Sequence, residues 1–270
     1  MIEFKTCLVA HIDIMGFKKL LENNTDAKVK LERYFQETRE FLMGKSEIYK
    51  ISAPADNFKS LFVSDSIILS IEIEKTDEDR YLKAGRFFYT IGLLQYMLAV
   101  KEQIWTRGAI SIGPLCMDVE KNILVGQAFI NAYLLEQTAD YPRIIIDPRV
   151  LSFFRDAFND FSQKIHESFE DINLIGVHNG IRFDTPPFSN DAILIDWFRH
   201  SFIRTDLIQP FFDDLKDRMG IDHNLFSKGS KLIPYLLESY ASYAVDAREN
   251  RNADEIKRAE DIYNKIQHLI

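Results

Sequence analysis

The sequence predicts an α+β chain, with a ferredoxin-like βαββαβ core and a mixed, mainly helical C-terminal extension. Two observations carry this reading. Short runs rich in β-branched and other apolar residues alternate with longer stretches of helical spacing, in the order β-α-β-β-α-β-α-β. Beyond residue 147 that alternation gives way to irregular segments and helical stretches. The chain therefore divides into residues 1–147, the core, and residues 148–270, an extension packed on it.

Phe4 to Ile14 (FKTCLVAHIDI) is apolar, ends in an acid and reads as a central strand. Gly16 breaks it, and Ala27 to Met43 follows with helical spacing through Val29, Leu31, Tyr34, Phe35, Phe41 and Leu42. Segment 44–57 holds Gly44, Pro54 and Asn57 and reads as a connection with a short strand near Ile48 to Ile51. Phe58 to Ile73 is a strand pair that turns near Ser64-Asp65-Ser66. Asp79 to Gln103 is a long helix, apolar on most sides and so buried on more than one. Trp105 to Leu115 is a strand ending in Gly-Pro. Val119 to Val125 is a turn and short strand, Gly126 to Thr138 a helix, and Arg143 to Ile146 a strand. Val150 to Phe169 reads as one helix, Leu174 to Phe198 as short strands and loops. Helical stretches follow at 199–218, 231–248 and 253–269.

With 270 residues, 46% of them hydrophobic, the chain can bury a sizeable core without staples. Its two cysteines, Cys7 and Cys116, exclude a disulfide framework and point to a reducing cytosol, hence a cytoplasmic protein. Met1 to Lys5 lacks the regions of a signal peptide. The longest apolar run, Ile91 to Val100, falls short of the ~18 residues a span needs. The net charge of −8 is the reverse of what a general nucleic-acid binder shows. No membrane or nucleic-acid partner is expected.

Four elements carry chemistry. In Asp13-Ile14-Met15-Gly16-Phe17 an aspartate leaves a buried strand just before a glycine and a helix start, a place that suits a metal and a polyphosphate together. In Phe62-Val63-Ser64-Asp65-Ser66-Ile67-Ile68 an acid sits inside an apolar hairpin, where it either caps the turn or binds something. Two such carboxylates at one sheet edge repel each other unless a cation lies between them. Arg107, in TRGAISIGP, begins a strand otherwise free of charge, as a surface arginine or a phosphate clamp. The fourth element is the helix GQAFINAYLLE, whose first glycine permits close approach of a ligand or a partner chain. The six histidines show no metal spacing. His11 shares a strand face with Asp13, as a core histidine or a support for it.

In this order the elements resemble the catalytic domain of class III nucleotidyl cyclases, over about residues 5–147. HIDIMGF is similar to that family's D-I-x-G-F signature, VSDSIIL to its G-D-S/A block, RGAISIGPL to its R-x-G-I-x-x-G-x-V block and GQAFINAYLLE to its G-D-x-V-N-x-A-x-R-L-E helix. The resemblance implies two Mn²⁺ or Mg²⁺ ions held by Asp13, Asp65 and the Ile14 carbonyl. It implies a triphosphate on backbone amides near Gly16 and Phe17, and a homodimer with shared active sites.

The departures are informative. The family's purine-selecting positions hold Leu61 and Ile123, which cannot read a purine by hydrogen bonds. Its transition-state Asn and Arg fall at Ile130 and Leu134, with Asn131 one residue away and Arg107 left as a source of positive charge. One subgroup, the pyrimidine cyclases of bacterial anti-phage (Pycsar) systems, is similar in its two aspartates, its FxSDS-like block and its G-x-A-F-I-x-A-Y-x-L-E helix. The implied reaction is UTP to cyclic UMP, alternatively CTP to cyclic CMP, with the product read by a separate effector. Tyr49 is a candidate for base contact, against the plainer reading of a packed tyrosine. A reading of another class is a catalytically degenerate, nucleotide-binding regulator.

Overall fold

The computed structural model describes residues 3–18, 21, 27–43, 58–170, 181–183, 193–195, 197–198, 209, 211–213, 215, 232–233, 236–237, 239–241, 243–245, 247–249 and 253–267. The chain is α+β. Its core elements are β1 (Lys5–Ile14), α1 (Ala27–Leu42), β2 (Lys59–Val63), β3 (Ser66–Glu72), α2 (Arg80–Val100) and β4 (Thr106–Asp118). Next come β5 (Ile123–Gly126), α3 (Gln127–Glu136), β6 (Ile144–Ile146), α4 (Arg149–Phe154) and α5 (Phe158–Glu170). The last described elements are β7 (Ile181–Phe183), β8 (Ile193–Ile195) and α6 (Ala253–Gln267).

The sheet runs β2-β3-β1-β4-β6-β8-β7, with β5 paired to β4 off this path. Its first four strands have the ferredoxin-like order. β1 lies between β3 and β4, antiparallel to both. The two faces of β1 are both covered, which is why its sequence is apolar almost throughout. Leu8, Ala10, Ile12 and Ile14 enter the main core under α1 and α2. Cys7 and Val9 enter a second cluster with Ile68, Leu115, Met117 and Ala128. In α2 every residue from Gly92 to Val100 is buried, so the uniformly apolar run is a core helix.

Two local expectations are corrected. The strand expected to end at Gly-Pro continues to Asp118, because Gly113 and Pro114 stay in register with Cys7 and Thr6 of β1 while Leu115 to Asp118 pick up β5. The single helix expected over 150–169 is two, because Arg155 takes a left-handed conformation (φ 61°) that closes α4. Asp156, just past that break, accepts hydrogen bonds from Tyr81 Oη (2.6 Å) and Lys164 Nζ (2.6 Å), which ties the corner to α2. Gly126 both ends β5 and caps the start of α3, as expected. A Cβ there would run into the Pro114 carbonyl oxygen and Leu115 Cα, so its close approach is to this chain's own β4.

Residues beyond 147 build on the same sheet. β8 pairs with β6 and β7 with β8. Trp197, fully buried, donates from Nε1 to the Pro142 carbonyl (3.1 Å). Ala259, Ile262 and Ile266 of α6 belong to the main core. Among the described residues no helix is long and apolar enough to cross a membrane.

Gly108 fixes how close β4 comes to β1, since a Cβ there would meet the His11 carbonyl oxygen at 2.6 Å. Gly108→Ala is expected to lower the melting temperature by roughly 4–10 °C through backbone crowding. An unchanged melting temperature would show that the two strands can part without cost.

Candidate active site

Register gathers the site. Asp13, at the outgoing end of β1, stands opposite Ser66 on β3 and opposite Arg107 on β4. Asp65 precedes Ser66 in the two-residue turn between β2 and β3, where Ser64 takes φ 55°. The two predicted aspartates are therefore brought together, within hydrogen-bonding reach of each other. Ser66 Oγ donates to Asp13 Oδ1 (3.1 Å). Burial first, and then the Asp65 charge, push the Asp13 carboxyl up to about 6, against the Ser66 hydrogen bond and the Arg107 charge.

Arg107 joins the group, but most of its fork is engaged inside the chain. Its Nε lies 2.6 Å from Glu136 Oε1, its Nη1 donates to the Ala139 carbonyl (3.3 Å), and its Nη2 is 3.8 Å from Asp13 Oδ2. The Arg107–Glu136 approach is close yet off-line for a hydrogen bond, so it is a contact of charges. Glu136 ends α3, whose buried face is Ala128, Ala132 and Glu136, spaced by four. Burial, followed by the charges of Asp13 and Asp65, raises the pKa of Glu136, and Arg107 opposes them. His11 Nδ1 lies 4.0 Å from Glu136, edge-on to Tyr133 and Phe129. Burial lowers its pKa to about 4, so at neutral pH it carries no charge and is no ion-pair partner.

The group thus holds three carboxyls against one guanidinium. Among the described residues no three His, Cys, Asp or Glu side chains converge as a complete metal cage. A pair of carboxylates is nonetheless what Mg²⁺ or Mn²⁺ needs when waters and phosphate oxygens complete the shell. A second observation fits such a guest. Tyr34 is fully buried and its hydroxyl has no hydrogen-bond partner among the described residues. Burial, and then the charges of Asp13 and Asp65, disfavour its ionisation, which places a neutral donor within the field of the pair. The residues present fit a divalent cation.

Ile14, buried, connects Asp13 to the turn at Met15 and Gly16. Met15 N donates to the Trp105 carbonyl (2.8 Å), which fastens that end of β1 to the entry of β4. Gly16 has φ +78° and open space where a Cβ would stand, so the turn needs glycine and leaves room beside it. Phe17 packs its ring on the core, and what it offers a ligand is the backbone of a first helical turn. Asn131 is not joined to the pair among the described residues, and its Oδ1 accepts from Gln127 (2.9 Å). Tyr49 lies outside the described residues. Ser66, Glu136 and Tyr34 went unassigned in the sequence. Ser66 and Glu136 stood at the edges of recognised blocks, while Tyr34 had no signal beyond helical spacing.

A cleft of about 810 Å³ opens at the other end of these strands, beside Lys5, Cys7, Lys59 and Met117. Its lysines are engaged within the chain: Lys5 on Glu72, Lys83 on Asp77, and Lys59 on the Met117 carbonyl. Burial pushes the Cys7 thiol up to about 11, which makes it a poor nucleophile.

No protein-family model and no curated protein matches the chain. Solved structures with similar folds include the monomeric guanylyl cyclase domain of the RhoGC fusion protein from the aquatic fungus Blastocladiella emersonii. It is 15% identical, with 71% of this chain and 95% of that one covered and a TM-score of 0.42. Another is a class III adenylyl cyclase-like ATP-binding protein from Pseudomonas aeruginosa, at 11% identity, coverage of 76% and 45%, and a TM-score of 0.44. A third is an adenylate/guanylate cyclase/hydrolase from Silicibacter pomeroyi, at 16% identity, coverage of 71% and 95%, and a TM-score of 0.35. At such values these are likenesses of outline and no more.

The raised Asp13 carboxyl has a consequence for stability. Between its ordinary value of 3.8 and about 6, the folded chain holds a proton that the unfolded chain has released. The group therefore weakens the metal-free fold as pH rises through that window, and continues to do so above it. Asp13→Asn is expected to raise the melting temperature by roughly 2–4 °C near pH 7.5 and to lose that advantage near pH 4. A variant less stable than the wild type at both values would contradict this.

Proposed function

We propose that the chain is a nucleotidyl cyclase acting on a pyrimidine nucleoside triphosphate, UTP first and CTP as the alternative. The observation that carries the reading is the convergence of Asp13 and Asp65 at one sheet edge, with more negative charge than Arg107 offsets.

Asp13 and Asp65, with the Ile14 carbonyl, would hold Mn²⁺ or Mg²⁺. When bound, such ions supply the positive charge that favours an attacking alkoxide-like oxygen and a leaving pyrophosphate. The residues of the chain do the rest. The Gly16–Phe17 turn offers backbone amides at a helix start for the triphosphate. The ribose 3′-oxygen attacks the α-phosphorus, the bond from that phosphorus to the bridging oxygen breaks, and the 3′-hydroxyl proton passes to solvent. At neutral pH Asp13 lies above its titration midpoint and is mainly ionised. Among the described residues Arg107 holds the nearest fixed positive charge.

The pyrimidine assignment rests on what is missing. Leu61 packs against the second cluster, an apolar surface where a purine reader would need polar groups. The sequence resemblance to the Pycsar cyclases points the same way, and to a product read by a separate effector in anti-phage defence. A homodimer is supported by Ile130, Tyr133 and Leu134, which share the outer side of α3 and are 48%, 44% and 56% exposed. The same Ile130 and Leu134 favour a second reading, a nucleotide-binding regulator that has lost the family's transition-state pair.

Purified protein with Mn²⁺ and each of the four ribonucleoside triphosphates decides between them by product mass. A cyclic pyrimidine monophosphate is expected. Asp13→Ala and Asp65→Ala are each expected to lower its formation by more than the ~10–100-fold typical of residues outside the metal's ligands. Product from no triphosphate would favour the regulator. Leu134→Glu is expected to turn a dimer into a monomer by light scattering, and a monomeric wild type would remove the homodimer.

A further inference from the structure

We propose that Glu136 is a positioning residue that holds the Arg107 guanidinium off Asp13, so that the Asp13–Asp65 pair stays open to a divalent cation. This rests on the reading of that pair as the metal site.

Sheet register places Arg107 beside Asp13 whether or not that suits a metal. An arginine fork and a carboxylate at this separation ordinarily close into a bidentate pair. Here they have not closed, since Nη2 and Oδ2 stand 3.8 Å apart. The guanidinium is held from the other side, with Nε 2.6 Å from Glu136 and Nη1 on the Ala139 carbonyl. Glu136 is 3% exposed, and among the described residues Arg107 is the one arginine or lysine within ion-pair distance of it. Releasing Arg107 toward Asp13 would leave a buried carboxylate uncompensated, which is the costlier arrangement. Arg107 is therefore pinned by the group least able to lose it. Asp13 retains in Oδ2 an oxygen on which no guanidinium hydrogen bond has closed. Arg107 accordingly acts as a fixed charge at the rim of the site rather than as an arm that swings onto phosphate.

The test is Mn²⁺ binding to the whole chain without nucleotide, followed by electron paramagnetic resonance, together with a metal-free crystal structure. Glu136→Gln is expected to weaken Mn²⁺ about tenfold and to show Arg107 closed onto Asp13 in the crystal. The loss is expected to persist in about 0.5 M KCl, where an effect of distant charge would be screened away. Adding Arg107→Gln to that variant is expected to return affinity to within about twofold of the wild type. Glu136→Asp keeps the charge one methylene short and is expected to weaken binding in the same direction if the glutamine variant folds poorly. Wild-type affinity in Glu136→Gln, a loss that vanishes in salt, or a double variant as weak as the single one would each overturn the proposal. A wild type that binds no Mn²⁺ would overturn the metal reading itself, and this proposal with it.

Discussion

The position of β1 between two antiparallel partners governs everything at the site. A strand's side chains alternate between faces, so a shift of one residue against either neighbour would turn Asp13 away from its companions. The register is held along ten residue pairs with β4 and seven with β3. It is tightened by the backbone approach at Gly108 and anchored at the outgoing end by the Met15–Trp105 hydrogen bond. Apolar burial on both faces specifies this register, since Leu8, Ala10, Ile12 and Ile14 have one core to enter and Cys7 and Val9 another. Asp13 sits at the end of the strand where that packing runs out and the chain turns.

Electrostatics separates the two ends of the same strands. At the incoming end the acids stand nearer to solvent, and Lys5 meets Glu72 and Lys83 meets Asp77 in direct ion pairs. At the outgoing end Asp13 and Glu136 share one arginine among the described residues, Asp65 stands beside Asp13, and His11 has been driven neutral. A fold under no demand but stability would not keep that surplus, because half-buried like charges cost free energy that water can only partly return. A cation bound at the proposed pair would offset that surplus, and the Tyr34 hydroxyl, without a hydrogen-bond partner among the described residues, agrees with that reading.

Much of this was legible in the sequence, for a physical reason. Strands covered on both faces must be apolar, so an acid at the end of one stands out, and both Asp13 and Asp65 stood out in that way. The core helices were legible for the same reason. What failed to show was set by partners distant in the chain. Gly113 and Pro114 read as a strand end, yet β1 carries β4 through them. Arg155 has no sequence mark of a helix stop, and its left-handed turn follows from the tie of Asp156 to Tyr81 and Lys164. Glu136 closed a helix whose apolar residues suggested plain core, and its partner lies on a strand 29 positions earlier in the chain. Asn131, chosen for its nearness to a family position, turned out to bond along its own helix to Gln127.

Helix α3 joins these strands of reasoning, because its faces belong to different problems. Its inner face carries two alanines, small enough to let the helix lie close on β1 and β4, and then Glu136, which reaches Arg107. Its outer side carries Ile130, Tyr133 and Leu134, apolar and exposed. A ten-residue helix has little room to move one face without the other. Whatever covers the outer side therefore bears on how firmly Glu136 holds Arg107, and through Arg107 on the charge that Asp13 presents. In a homodimer that coupling would make assembly and metal binding mutually favourable, since each would restrain the same short helix.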